Sequence, residues 1–216
     1  MKENNWFDPF YIQSHLNEEE SNIQKNVRDF CNNELKPTVV ERNRKNEFDQ
    51  DLYLKFGSLG VLGQTVKTHG GSGTSNLAYG LVAYEFEKID SSYRSSISVQ
   101  SSLVIHPINE FGSQEQKDKF LPPLIKGEKI GCFGLTESEA GSDPTSMKTS
   151  FKKTKDGYII NGSKNWITNA PIADIFIIWA IEENKDHKSI KGFIIEKNTE
   201  GLNTSTIENK TSLKIS

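Results

Sequence analysis

Hydrophobic residues recur along this chain with two different periods, and the change falls near residue 130. Before it the spacing is helical. Asn17-Glu18-Glu19-Glu20 can cap a helix on which Ile23, Val27, Phe30 and Cys31 share one face until Pro37 stops it. Asp49 is placed to cap a second helix through Leu52, Leu54 and Phe56, ending at Gly57 or Gly60. Residues 75–89 and 96–111 read as a third and a fourth. Ser113-Gln114-Glu115-Gln116 is a capping box that opens a fifth, closed by Pro122-Pro123.

After residue 130 the period falls toward two. Residues 151–154, a Lys155-Asp156-Gly157 turn and Tyr158-Ile159-Ile160 predict one hairpin. Residues 175–181 and 192–196 predict a second, joined by the charged stretch 182–189. The fold class this predicts is α+β: a helical domain over residues 1–130, followed with no linker by an antiparallel β-domain over residues 131–216. Residues 211–216 read as the start of another strand with no turn or cap after it. A chain end there leaves an unpaired edge, so the β-domain is expected to be incomplete at the C-terminus and the chain truncated.

Apolar residues, counting Gly and leaving out Tyr, make up about 39% of the chain, below the usual ~45–50%. A thin core is expected, one that leans on a partner, a cofactor or further sequence. Lys and Arg number 26 against 29 Asp and Glu, for a net charge of −3. Lys152-Lys153 and the lysines of 185–191 sit beside turns, where solvation accounts for them, so nucleic acid is excluded as a partner. His15, His69, His106 and His187 show no metal-ligand spacing, and no metal is expected. Two cysteines, Cys31 and Cys132, are too few for a disulfide framework, which favours a reducing compartment. No apolar run nears the ~20 residues that span a bilayer. The start Met1-Lys2-Glu3-Asn4-Asn5 has neither a signal-peptide core nor an Arg-rich transit pattern. A cytoplasmic location is expected, with the mitochondrial matrix as the alternative.

Candidate chemistry concentrates in two segments. In Phe133-Gly134-Leu135-Thr136-Glu137, continuing to Gly141-Ser142-Asp143, the glycines let a ligand approach the main chain, and Thr136 and Ser142 add hydroxyls. In Trp166-Ile167-Thr168-Asn169, a period-two strand would place Trp166 and Thr168 on one side, so that one covers a ring and the other bonds its edge. The mixture suits a flat, polar-edged heterocycle with a phosphate tail. Taken singly, Gly141-Ser142-Asp143-Pro144 also reads as a turn and Trp166 as a core residue. Gly70-Gly71-Ser72-Gly73 follows no strand and lacks Gly-Lys-Ser/Thr, so it reads as a helix–helix connection.

The run Gly131-Cys132-Phe133-Gly134-Leu135-Thr136-Glu137, then Ala140-Gly141-Ser142-Asp143, then Asn161-Gly162-Ser163-Lys164-Asn165-Trp166-Ile167-Thr168-Asn169, resembles the flavin-binding signature of the acyl-CoA dehydrogenases in order and spacing. Within that family, residues 93–108, with Gly112-Ser113 and Leu121-Pro122, are most similar to the glutaryl-CoA dehydrogenases. The resemblance implies a helical domain followed by a β-barrel-like middle domain and FAD as cofactor. It implies that Phe133, Leu135, Thr136 and Ser142 line the FAD, that Trp166 flanks the isoalloxazine and that Thr168 bonds its N5 edge. Gly141 and Asn169 join them as cofactor-binding positions, and Ser142 also lies near the acyl-CoA thioester.

The substrate side falls on Arg94, Ser95 and Glu87. An Arg at the end of the acyl pocket matches a terminal carboxylate by charge and bidentate geometry. The competing reading is a surface Arg paired with Asp90 or Glu87. The reaction implied is oxidation of glutaryl-CoA and decarboxylation to crotonyl-CoA, with electrons passing to an electron-transferring flavoprotein and a homotetramer as the assembly. The family's catalytic glutamate lies in a later helical domain, beyond Ser216. No glutamate here matches it, so no catalytic residue is nominated and the chain alone is expected not to turn over. Two alternatives remain open. One is a short-chain or other dicarboxylyl acyl-CoA dehydrogenase, and the other a non-catalytic fragment or split half.

Overall fold

The computed structural model describes residue 8 and residues 10–214. Among the described residues seven α-helices precede five strands: α1 (Glu18–Phe30), α2 (Val39–Lys45), α3 (Leu52–Ser58), α4 (Asn76–Glu87), α5 (Ser91–Ser98), α6 (His106–Phe111), α7 (Gln114–Ile125), then β1 (Gly131–Gly134), β2 (Ser150–Lys153), β3 (Tyr158–Asn161), β4 (Ile175–Glu182) and β5 (Lys191–Glu196). The helix starts follow local chemistry. Asn17 and Ser113 each close a full capping box, and Ser75 caps α4. The glycine run at 70–73 lies in the connection between α3 and α4, as expected.

Four expectations are corrected. The fourth helix begins at Ser91 rather than 96, because the Asp90 side chain accepts from the Ser92 N–H at 2.7 Å and caps it. Asp49 lies further out than a helix cap, and Asp51 takes that position without a side-chain bond. Helix α7 runs through Pro122 and Pro123 to Ile125. The carbonyls those prolines leave without a donor belong to Asp118 and Lys119, both exposed, so the loss of two ladder bonds is tolerated there. Residues 211–214 form no strand, and residues 215–216 lie outside the described ones. Helix α2 had no forewarning in the periodicity.

Beyond residue 130 the sheet is mixed rather than antiparallel. The two expected hairpins form, β2 with β3 and β4 with β5. β4 is also parallel to β1, from Gly131 against Ile175 to Gly134 against Ile178, and to β2 at Ile181 and Glu182. Parallel strands need a long crossover, and residues 135–174, which contain the first hairpin, supply it.

One core serves both halves. Tyr53, Phe56, Phe86, Ile97, Ile105 and Leu121 pack in a cluster that also takes in Ile175 and Ile177 of β4. Phe56 meets Phe86 edge to face at 5.2 Å. Each such buried side chain stabilises by roughly 1.5–3 kcal/mol. The join is tight where β1 crosses the π-helical stretch Val99–Ile105: a Cβ on Gly131 would stand 2.5 Å from Cγ1 of Val104, so only glycine fits. Gln100, fully buried in that stretch, donates to the carbonyls of Leu124 and Lys129, both at 2.9 Å, and accepts from the Gly131 N–H at 2.7 Å. Among the described residues no helix is long and apolar enough to cross a membrane.

Candidate functional site

Arg94 and Ser95 stand on α5 and Glu87 at the end of α4. Arg94 Nε bonds Glu87 Oε2 at 2.8 Å, and Ser91 Oγ donates to Glu87 Oε1 at 2.6 Å. The Ser91 bond, then the Arg94 bond, hold the Glu87 carboxyl below the usual carboxylate range. Both side chains of the ion pair stay partly open, 37% exposed for Arg94 and 46% for Glu87. The guanidinium is therefore accessible and already neutralised.

Ser95 reaches across to the sheet half, its Oγ 3.4 Å from Thr168 Oγ1. That contact joins the acyl-end candidates on α5 to the second sheet segment. Thr168 is not on a strand, nor is Trp166, which corrects the period-two expectation. After β3 the chain leaves the ladder at Gly162, whose φ is +153°. The Asn165 side chain accepts from the Trp166 N–H at 3.0 Å, and Trp166 takes φ +60°. That left-handed conformation is unusual for a bulky residue and throws the indole outward, 64% exposed. Asn169, also left-handed at φ +70°, turns its side chain inward, where it is 1% exposed and Nδ2 donates to the Gly131 carbonyl at 3.1 Å. Its side chain braces the site from beneath.

In the first segment, β1 ends the strand order and, among the described residues, pairs with β4 alone. Both peptide groups of Gly131 point to the outer edge, to Gln100 and Asn169. Peptide groups alternate along a strand, so Phe133 presents its N–H and C=O on that same open edge. The Thr136 carbonyl accepts from the Asn165 N–H at 2.9 Å, which ties the two segments together. Gly141 and Ser142 form an exposed turn with open space around Gly141, and Asp143 caps the short helical turn Pro144–Ser146 after it. The turn reading and the ligand reading thus fit the same residues. No hydrogen bond among the described residues ties Ser142 to Ser95, Arg94 or Thr168.

Within the motif, Glu137 and Lys164 carry no signal in the sequence that marks them as partners. Their side chains, 9% and 8% exposed, form an ion pair at 2.8 Å. Lys164 Nζ also donates to the Leu135 carbonyl at 2.9 Å, while Glu137 accepts from the N–H groups of Lys148 at 2.7 Å and Thr149 at 3.0 Å. Burial works to raise the Glu137 carboxyl, but the Lys164 and Thr149 bonds outweigh it and hold it at about 2. Gln100 carries none either. A lone buried amide leaves no periodic signal, and nothing in spacing pairs residues 137 and 164.

A cleft of about 1050 Å³ opens between the β4–β5 face and the segment 199–214, lined among others by Trp166, Thr168, Ile178, Ile195 and Lys210. It borders the site at Trp166 and Thr168 but takes in neither Phe133 nor Arg94. The arrangement as a whole offers an exposed aromatic face, an open peptide edge and the hydroxyls of Thr136, Ser142 and Thr168, beside an arginine on the facing helix.

Residues 17–128 match the N-terminal domain and residues 132–215 the middle domain of acyl-CoA dehydrogenase, and the chain belongs to that family. Among its relatives are the short-chain-specific acyl-CoA dehydrogenase of Clostridium acetobutylicum, 38% identical over 93% of this chain and 54% of the relative, and the mitochondrial isovaleryl-CoA dehydrogenase of Pongo abelii, 38% identical over 88% and 46%. Glutaryl-CoA dehydrogenase from Mycobacterium smegmatis, solved in complex with FADH2, superposes with a TM-score of 0.91 at 39% identity over 95% of this chain and 52% of that one. The chain spans about half the length of the curated relatives it matches.

Proposed function

We propose that this chain forms the flavin-facing and acyl-facing surfaces of a glutaryl-CoA dehydrogenase. The observation that carries the reading is the Ser95–Thr168 contact, which sets the helix bearing Arg94 against the turn bearing Trp166. The site's donor set fits FAD: an indole 64% exposed for the ring face, the Thr168 hydroxyl for its edge, the open peptide groups of Phe133, and Thr136 and Ser142 for polar atoms beyond. When bound, FAD supplies the hydride acceptor for dehydrogenation between the acyl α and β carbons. Trp166 shields one flank from water, and Ser95 and Thr168 fix the helix-to-turn spacing. Arg94 exchanges its Glu87 partner for the substrate's terminal carboxylate, a charge-for-charge trade in a partly open site. No glutamate of this chain is assigned as the base. In keeping with the family resemblance, we extend the reading to an electron-transferring flavoprotein as acceptor, a homotetramer as the assembled form and the cytoplasm as location.

The test is a binding one. Titration with FAD, followed by flavin absorbance and tryptophan emission, is expected to saturate, and Trp166→Ala to weaken it about tenfold. An absence of saturable binding removes the flavin reading. In the FAD-loaded chain, Arg94→Ala is expected to cost glutaryl-CoA about tenfold to a hundredfold in affinity and butyryl-CoA little. Equal losses for both ligands would favour a short-chain enzyme, the second reading, which the existing Arg94–Glu87 pair and the short-chain-specific relative support.

A further inference from the structure

We propose that Glu137 and Lys164 are a positioning pair: a buried bolt that fixes the spacing between segment 133–143 and segment 162–169. The purpose assigned to it rests on the flavin reading, whereas the bolt itself follows from geometry. Lys164 Nζ is met by Glu137 Oε1 at 2.8 Å, the Leu135 carbonyl at 2.9 Å and Met147 Sδ at 3.9 Å. Glu137 Oε1 also takes the Thr149 N–H, and Oε2 the Lys148 N–H. The ammonium has three neighbours for its three protons, and both carboxylate oxygens are engaged.

A pair whose only task was cohesion would be an odd choice. Desolvating two charges costs about what their attraction returns, and apolar side chains of equal volume hold a core as well. Apolar side chains would not reproduce the three main-chain bonds, and those fall at the ends of the turn that separates Leu135 from Thr149. The surroundings are fitted to the bolt. A Cβ on Gly134 would lie 2.6 Å from Cδ1 of Ile178 and 3.3 Å from Cγ of Lys164, so the lysine stem and Ile178 together crowd a position kept bare. A Cβ on Gly162 would lie 2.4 Å from Thr149 Oγ1, and that hydroxyl donates to the Ser163 carbonyl at 3.4 Å. The Asn165 N–H then closes on the Thr136 carbonyl, and Trp166 follows directly. The placement of the exposed indole relative to Thr136 is thus set one residue beyond the bolt.

The experiment compares Lys164→Met, which keeps the stem and removes the charge, with Glu137→Gln, which keeps the volume. Amide hydrogen exchange is read at Asn165, Lys148 and Thr149 and at α4, beside the FAD dissociation constant. The expected result is exchange at Asn165 faster by about tenfold or more over and above any change at the α4 amides, and an FAD affinity about tenfold weaker. A folded Lys164→Met that keeps both the Asn165 protection and the FAD affinity overturns the proposal. So does a loss of α4 protection in step with Asn165 in both variants, since the pair would then serve global stability alone. Should the unmodified chain take no FAD, the flavin reading falls, and Asn165 exchange by itself decides for or against the bolt.

Discussion

At the scale of single residues, Glu137 and Gly131 make the firmest statements. The Glu137 carboxyl titrates at about 2 in the folded chain, below its unfolded value, so the stability it contributes is complete above the ordinary carboxylate range. It is lost as pH falls from there toward about 2. Urea melts of the parent and Glu137→Gln are expected to differ most near neutrality and to converge in acid. A gap that stays constant down to pH 3 would assign the carboxyl no such role. Gly131 answers to shape alone. Gly131→Ala drives a methyl to 2.5 Å from Val104 and is expected to cost about 3 kcal/mol, read from the same melts.

Among elements, the contact between the π-helical stretch Val99–Ile105 and β1 matters most, because one side chain serves both. Gln100→Leu strands two carbonyls and the Gly131 N–H, and a loss of about 3 kcal/mol is expected in denaturant midpoints, with FAD affinity falling too as Gly131 shifts. The elements that could be read in advance announce themselves locally. The capping boxes at Asn17 and Ser113 and the period-two runs of the two hairpins need only neighbours in sequence. Pro122-Pro123 misled because exposure of Asp118 and Lys119, a tertiary fact, decides whether a proline ends a helix. The parallel pairing of residues 131–134 with 175–178 was hidden for the same reason, since periodicity names a strand and not its partner. The site divides likewise. Phe133, Thr136, Ser142 and Trp166 stood out by composition, but the meeting of Ser95 with Thr168 and of Glu137 with Lys164 exists only in three dimensions. Trp166 was misplaced on a strand because the Asn165 side chain, rather than the hydrophobic pattern, sets its backbone.

For the molecule as a whole, the change of period at residue 130 marks a change of architecture and no break in packing. Ile175 and Ile177 belong to the same cluster as Tyr53, Phe86 and Leu121. The described tryptophans, Trp166 and Trp179, both lie in the second half, whereas the helices dominate far-UV circular dichroism. The two signals are expected to give one coincident unfolding transition, and two separated midpoints would show independent halves. The shared cluster has a further consequence on the ribosome. The helical half emerges first, yet Leu121, Val104 and their neighbours have no cover from β4 until residues 175–177 have left the exit tunnel. For that interval the nascent chain carries an apolar floor with no ceiling, and the rate at which translation crosses residues 131–177 sets how long it stays open to misassembly.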